Sequence, residues 1–204
     1  MNLLAFETAT DVCGVALMLE NEVVTLNEGN IPRQHAQRLP ALYQSIVDEY
    51  NINLSDLDGI AVSIGPGSFT GLRIGLSYSK GLAYSHGLPI VPVPTLQGIA
   101  EGCDSDNDFR VLLFSHRDLI YHQKFNKGKS PITKASITRW DDLKNNLDQS
   151  NIFQINCEKF FDGQVVSASA KHIVKCARDH YEEWAQSDPF KLVPNYIAQF
   201  EINK

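Results

Sequence analysis

The chain has no surplus of positive charge, no paired cysteines and no long apolar run, and each absence argues against a class of function. Lysine and arginine number 18 against 24 aspartates and glutamates, a formal net charge of −6 over 204 residues. Neutralising phosphates wants a basic face, so the chain is not expected to bind nucleic acid on its own. The four cysteines, Cys13, Cys103, Cys157 and Cys176, are scattered and form no C-x-x-C pair. They read as buried thiols of a reducing compartment, not as a disulfide frame or a zinc site. The apolar run Leu3 to Phe6 stops at Glu7, which predicts neither a signal peptide nor a membrane span. The expectation is a soluble cytoplasmic protein. There is no internal repeat and no low-complexity segment.

Metal and nucleotide signatures are missing as well. His35 invites a metal reading, because histidines four apart on a helix make a ligand pair. Position 39 is Leu39, however, and His86, His116, His122, His172 and His180 supply no replacement spacing. No lysine follows Gly71, so the glycine-rich stretch is not a P-loop. Thr70 stands where the dinucleotide pattern needs its third glycine. No catalytic residue and no metal ligand is assigned.

Glycine is what the chain has, and it is concentrated. Eleven of the thirteen glycines precede residue 104. The stretch Gly65-Pro66-Gly67-Ser68-Phe69-Thr70-Gly71-Leu72-Arg73-Ile74-Gly75 joins a predicted strand, Gly59 to Ile64, to a predicted helix, Phe69 to His86. Ser68 or Thr70 can cap that helix, whose start offers unpaired N–H groups to an anion or a partner. A strand-to-helix turn without ligand is the competing reading. Glu7 and Asp11 flank the first turn of the chain, where a resemblance in strand order to the actin, sugar-kinase and Hsp70 superfamily implies phosphate and metal handling, and with Gly65 and Gly67 they are the candidates for nucleotide contact. In the helix, Gly71, Gly75, Ser79 and Ala83 recur every fourth residue, and Ser77, Gly81 and Ser85 form a second small row. Each interior glycine costs about 1 kcal/mol against alanine, so a compensating close contact is expected. Either a partner's backbone or the chain's own sheet can supply it.

Taken in order, the pattern predicts strands at 3–8, 12–19 and 22–27. A helix with the apolar stripe Leu39, Leu42, Ile46, Val47 and Tyr50 follows His35. Ser55 is expected to cap a short turn. Gly87 and Pro89 end the second helix, and a strand at 88–93 leads to a helix capped by Thr95 and running to about Cys103. The acidic connector 104–108 is the expected boundary between a first lobe, 1–103, and a shortened second lobe, 109–204. That second lobe should contain a hairpin (109–115 and 119–126) and a capping box at Thr138-Arg139-Trp140-Asp141 opening a helix to about Leu147. A short strand at 152–156 and an amphipathic helix from Ser169 to Gln186 complete it. The tail Pro194-Asn195-Tyr196-Ile197 is expected to lie back on the first lobe. Three meandering strands followed by alternating helices and strands resemble one lobe of the actin, sugar-kinase and Hsp70 superfamily.

Three segments together carry a closer resemblance. They are Leu3 to Thr10, Pro32-Arg33-Gln34-His35-Ala36-Gln37-Arg38-Leu39-Pro40, and Gly65 to Gly75 with Lys80 to Tyr84. In order and spacing they resemble the bacterial TsaB (YeaZ) family over roughly residues 1–100. The resemblance implies an α/β, actin-like (ASKHA, RNase H-like) two-lobe fold with mixed sheets and a truncated second lobe. It implies a non-catalytic scaffold that dimerises with TsaD and helps recruit TsaE, for threonylcarbamoylation of the adenosine beside the anticodon in tRNAs reading codons that begin with A. ATP and metal would then belong to the partner complex, with no cofactor bound by this chain alone, and tRNA would be reached only through the complex. The implied partner face comprises His35, Arg38, Leu39, Leu42, Gly71, Leu72, Arg73, Gly75, Leu76, Ser79, Lys80 and Ala83, and the same face would support a homodimer. Ser115-His116-Arg117 departs from the family's Asp-Ala-Arg turn. The alternative is an actin-like ATPase or kinase using Glu7, Asp11 and the glycine-rich loop.

Overall fold

The computed structural model describes residues 1–147 and 151–197. Strands β1 (Leu3–Glu7), β2 (Val12–Leu19) and β3 (Glu22–Asn30) form an antiparallel meander, and Glu20 and Asn21 turn the second corner with φ of 52° and 72°. Helix α1 (His35–Tyr50) follows, then β4 (Gly59–Ser63), α2 (Phe69–His86), β5 (Ile90–Val93) and α3 (Thr95–Glu101). The sheet order is β3-β2-β1-β4-β5, with β1, β4 and β5 mutually parallel where they pair. Strands covered on both faces read as unbroken apolar runs, which is why β1, β4 and β5 carry so little polarity.

Side chains alternate across this sheet. Leu4, Phe6, Val15, Leu17, Ile60 and Val62 face α1 and α2 and pack with Leu39, Ile46 and Leu76. Leu3, Ala5, Ala16, Met18, Ala61 and Val91 point to the opposite face.

The second sheet comprises β6 (Phe109–His116), β7 (Leu119–Phe125), β8 (Ser136–Arg139), β9 (Ile152–Ile155) and β10 (Gln164–Val165), in the order β10-β9-β6-β7-β8. A single turn, α4 (Trp140–Leu143), follows β8. Leu96, Ile99 and Ala100 of α3 pack against Phe109, Val111, Phe125 and Phe153 on one face of this sheet.

The chain then returns to the first sheet. Helix α5 (Ala170–Asp179) lays Ile173, Val174 and Ala177 over the face formed by Leu3, Ala5, Ala16 and Met18. Its start is fastened to β3, since a Glu28 carboxylate oxygen accepts from Ser169 Oγ at 3.0 Å and from the Ala170 N–H at 3.1 Å. A carboxylate on the first turn of a helix satisfies open N–H groups and meets the positive end of its dipole. Leu192 of the tail is buried in the α1–α2 core, and the Asn195 N–H donates to the Ile64 carbonyl at 2.7 Å.

Four local expectations are corrected. Asn53, not Ser55, caps the short turn, its side chain accepting from the Ser55 N–H at 3.1 Å. Thr95 makes no cap bond, because its hydroxyl accepts from the Gly65 N–H at 3.0 Å instead. The residues read as a capping box belong to β8 and one following turn, and Thr138 Oγ1 lies 2.9 Å from His122 Nε2. The helix expected over Ser169 to Gln186 breaks at His180, after which α6 (Tyr181–Trp184) makes a separate turn.

Candidate functional site

Helix α2 rests on the first sheet with its smallest side chains inward, and Thr8 explains why they are small. The Thr8 hydroxyl donates to the Gly71 carbonyl at 2.8 Å. A Cβ on Gly71 would collide with the Thr8 carbonyl oxygen, and one on Gly75 with Thr8 Oγ1. Ser79 and Ala83 continue the row, fully buried. The compensating contact for these glycines therefore lies inside the chain. This corrects the reading of Gly71, Gly75, Ser79 and Ala83 as a bare socket for a partner's backbone. Leu72 and Leu76 are buried beside them, as are His35 and Leu39 on α1. His35 is a core histidine, its Nε2 standing 3.1 Å from the Val12 carbonyl.

Four residues of the expected partner face reach the surface. Arg38 and Arg73 are exposed, and Leu42 and Lys80 are half-buried. Between and beside them runs the second small row, Ser77, Gly81 and Ser85, which is exposed. Among the described residues, and apart from the helix's own neighbouring backbone, no heavy atom lies within 4 Å of the place a Gly81 Cβ would take. The tail runs antiparallel along the flank of α2. Phe190 meets Tyr84 edge-on at 4.9 Å and accepts from Lys80 Nζ through its carbonyl at 3.4 Å. Tyr196 accepts from Arg73 Nε at 3.0 Å, and the Arg73 guanidinium stands 3.7 Å from the Phe69 ring centre. Tyr84, Phe190 and Val193 remain 68%, 62% and 69% exposed.

The glycine-rich loop is tied from three sides. Gly65 has φ of +117°, and a Cβ there would stand 2.5 Å from the Asn195 carbonyl oxygen, so the tail and the backbone conformation together require glycine. Ser68 donates its N–H to the Ala9 carbonyl at 2.7 Å and caps α2 by accepting from the Gly71 N–H at 3.2 Å.

Beyond the loop lies a cleft of about 1010 Å³ between the two sheets. Ala9, Thr10, Asp11, Arg33, Gly67, Ser68 and Phe69 line its first wall. Leu113 to Arg117, Leu119, Tyr121, Asn156 and Lys159 line the second. Asn156 Nδ2 donates across it to Asp11 Oδ2 at 3.3 Å. Lys159 Nζ donates to the Arg117 carbonyl at 2.8 Å. Of the four residues expected to touch nucleotide, Asp11 and Gly67 line the cleft, while Glu7 and Gly65 do not. The Glu7 carboxyl is fully buried. One of its oxygens accepts from the Ala9 N–H at 2.5 Å and the other has no hydrogen-bond partner. Burial pushes its pKa up to about 7 against the lowering effect of the Ala9 and Ser63 hydrogen bonds, with Glu28 adding to the rise.

Arg33, Asn156 and Lys159 escaped the sequence reading because each is an isolated polar residue in a loop with no spacing to mark it. Ser115, His116 and Arg117, noticed only as a departure from a family pattern, all face the cleft. Burial raises Cys13 to about 11 and Cys103, Cys157 and Cys176 to about 12, so none is an activated thiolate. Among the described residues no three His, Cys, Asp or Glu side chains gather as a metal site.

Two mixed five-stranded sheets, each with helices against it and a cleft between them, define an actin-like, RNase H-like α/β protein. The family model described as TsaD, tRNA N6-adenosine threonylcarbamoyltransferase, matches residues 20–180, and the chain belongs to that family. Over 102 residues it is 41% identical to the tRNA threonylcarbamoyladenosine biosynthesis protein TsaB of Escherichia coli, covering 50% of this chain and 44% of that protein. A tRNA N6-adenosine threonylcarbamoyltransferase of Fervidobacterium nodosum is 34% identical over 113 residues, 48% of this chain and 34% of the relative. The matched segments thus span less than half of either relative. YeaZ from Pseudomonas aeruginosa superposes with a TM-score of 0.80 at 23% identity, over 96% of this chain and 99% of that one, a likeness of fold.

Proposed function

We propose that the chain is a non-catalytic subunit in the biosynthesis of threonylcarbamoyladenosine on tRNA. It pairs with a TsaD-type transferase through the outward faces of α1 and α2 and helps to seat TsaE. ATP turnover and metal belong to those partners, tRNA is met only in the complex, and the same face forms homodimers when the transferase is absent. The observation that carries the reading is Gly81, a glycine in the interior of α2 on its exposed face, with open space above it. Its cost of about 1 kcal/mol against alanine meets no close contact among the described residues that would offset it. The similarity to TsaB of Escherichia coli, over 102 residues, supports the choice of partner.

Gly81→Trp tests it. The substitution points into open space and leaves the fold intact by circular dichroism. Co-elution with TsaD in size exclusion with light scattering should be lost, together with tRNA modification. A Gly81→Trp protein that still pairs and supports full modification removes this face from the reading. The ATPase or kinase alternative is weakened because neither Glu7 nor Gly65 lines the cleft.

A further inference from the structure

Two carboxyl groups face each other across a strip of bare backbone. Glu7 on β1 stands opposite Gly14 on β2, and Gly14 stands opposite Glu28 on β3. By the alternation of the strands the three occupy one row on the face that α5 covers. Gly14 has no side chain, and Glu28 fills the space above it. A Cβ on Gly14 would come within 2.9 Å of Glu28 Oε2 and 3.3 Å of Ala170 Cβ. The Glu28 carboxylate is thereby drawn inward from the edge strand, toward Glu7 and onto the start of α5.

The two acids differ in what they hold. Glu28 accepts from Ser169 Oγ and from the Ala170 N–H, and it is an exposed residue with water to retreat to. Glu7 is fully buried, accepts from the Ala9 N–H and has its second oxygen unpartnered. Around Glu7, Ser63 on β4 and Ser169 and Ala170 at the start of α5 carry no charge, and Lys171 of α5 is exposed. Cys13 of β2 lies on the opposite face, in the α1–α2 core, and its thiol holds its proton to about 11. Arg38 of α1 and Asp11 beyond the turn are exposed. Among the described residues Glu28 is the charge that acts on Glu7. An anion formed at Glu7 therefore meets another anion, and neighbouring carboxylates do not both ionise without cost. Glu28 is the member of the pair that can turn to solvent.

We propose that Glu7 and Glu28 form a proton-gated latch on α5. While Glu7 keeps its proton, Glu28 clasps the first turn of the helix; when Glu7 loses it, Glu28 swings to solvent and releases that turn. The latch stands apart from the scaffold reading and is tested on the full chain alone. Nuclear magnetic resonance between about pH 5 and about pH 9 reads both of its ends. The Glu7 carboxyl carbon should titrate near neutrality. The Ala170 amide proton should move upfield with the same midpoint, as its bond to Glu28 is lost. Hydrogen-exchange protection of Ala170 should fall about tenfold across that midpoint, the effect of one hydrogen bond to a charged group. In Glu7→Gln the Ala170 signal should stay fixed over the same range. Glu28→Gln keeps an acceptor for α5 and removes the repulsion, so it too should hold Ala170 fixed, and it decides the matter if Glu7→Gln does not fold. The Gly71 amide, capped by Ser68, should not move in any of them. The latch is overturned if Ala170 fails to follow Glu7 in the parent, if it still titrates in either variant, or if Gly71 moves with it.

Discussion

Glu7 takes up a proton near neutrality because its carboxyl is shut away from water, with one oxygen unpartnered and Glu28 close by. Between the ordinary value of 4.5 and about 7 the folded chain holds this proton more tightly than the unfolded chain does. Stability therefore falls as pH rises through that window and levels off above it. Glu7→Gln keeps an acceptor for the Ala9 N–H and removes the buried charge. Its stability relative to the parent should rise across the same window, reaching about 3 kcal/mol above neutrality. Urea denaturation at a series of pH values measures this, and a difference independent of pH would mean that Glu7 titrates like an exposed carboxylate. His122 and His172 act in the opposite sense. Burial, foremost, with Arg110 beside His122 and lysines around His172, lowers both to about 4. They contribute stability at neutral pH that is lost as pH falls from 6.5 toward 4.

Helix α2 carries two rows of small residues, and the structure separates what they do. The inner row is a close fit to Thr8, so Gly75→Leu should not yield the folded but unpaired monomer that a partner socket would predict. It should destabilise the fold by more than about 3 kcal/mol, because the side chain meets Thr8 with no room to move. Chemical denaturation decides this, and a Gly75→Leu protein of parental stability would return the inner row to the surface. Gly81→Ala, by contrast, should stabilise by about 0.5–1 kcal/mol.

The limits of α2 were legible to the residue, since Ser68 caps one end and Gly87, at φ of 65°, closes the other. Its orientation was not. A period of four identifies a face of the helix and says nothing of whether a sheet or a neighbour covers it. Strand β8 was illegible for another reason. It has only four residues, and Thr138, which reads as a cap, faces His122 instead. The cleft was half-legible. Asp11 and Gly67 lie beside recognisable turns, whereas Arg33 and Lys159 reach it only through the path of the backbone.

At the scale of the whole molecule, sequence order and spatial order part company. Helix α5 follows the second sheet in the chain and yet covers the first, with Cys176 and Val174 seated among Leu3, Ala5 and Val91. The sequence shows its apolar stripe but not its destination, because a stripe of Ile, Val and Ala fits any apolar sheet. Native-state hydrogen exchange should find the amides of α5 opening together with those of β1 and β2, as one cooperative unit. Opening together with β6 and β7 instead would overturn that grouping.

This threading bears on how the protein is made. A ribosome delivers β1 to α3 early, but the layer that shields Leu3, Ala5 and Met18 is encoded some seventy residues past α3. Throughout that interval the nascent chain displays a sheet with one greasy side uncovered, a state prone to sticking to its neighbours and attractive to chaperones. Ribosomes stalled just before and just after the codons for α5 should accordingly differ in chaperone occupancy far more than the small gain in length would suggest.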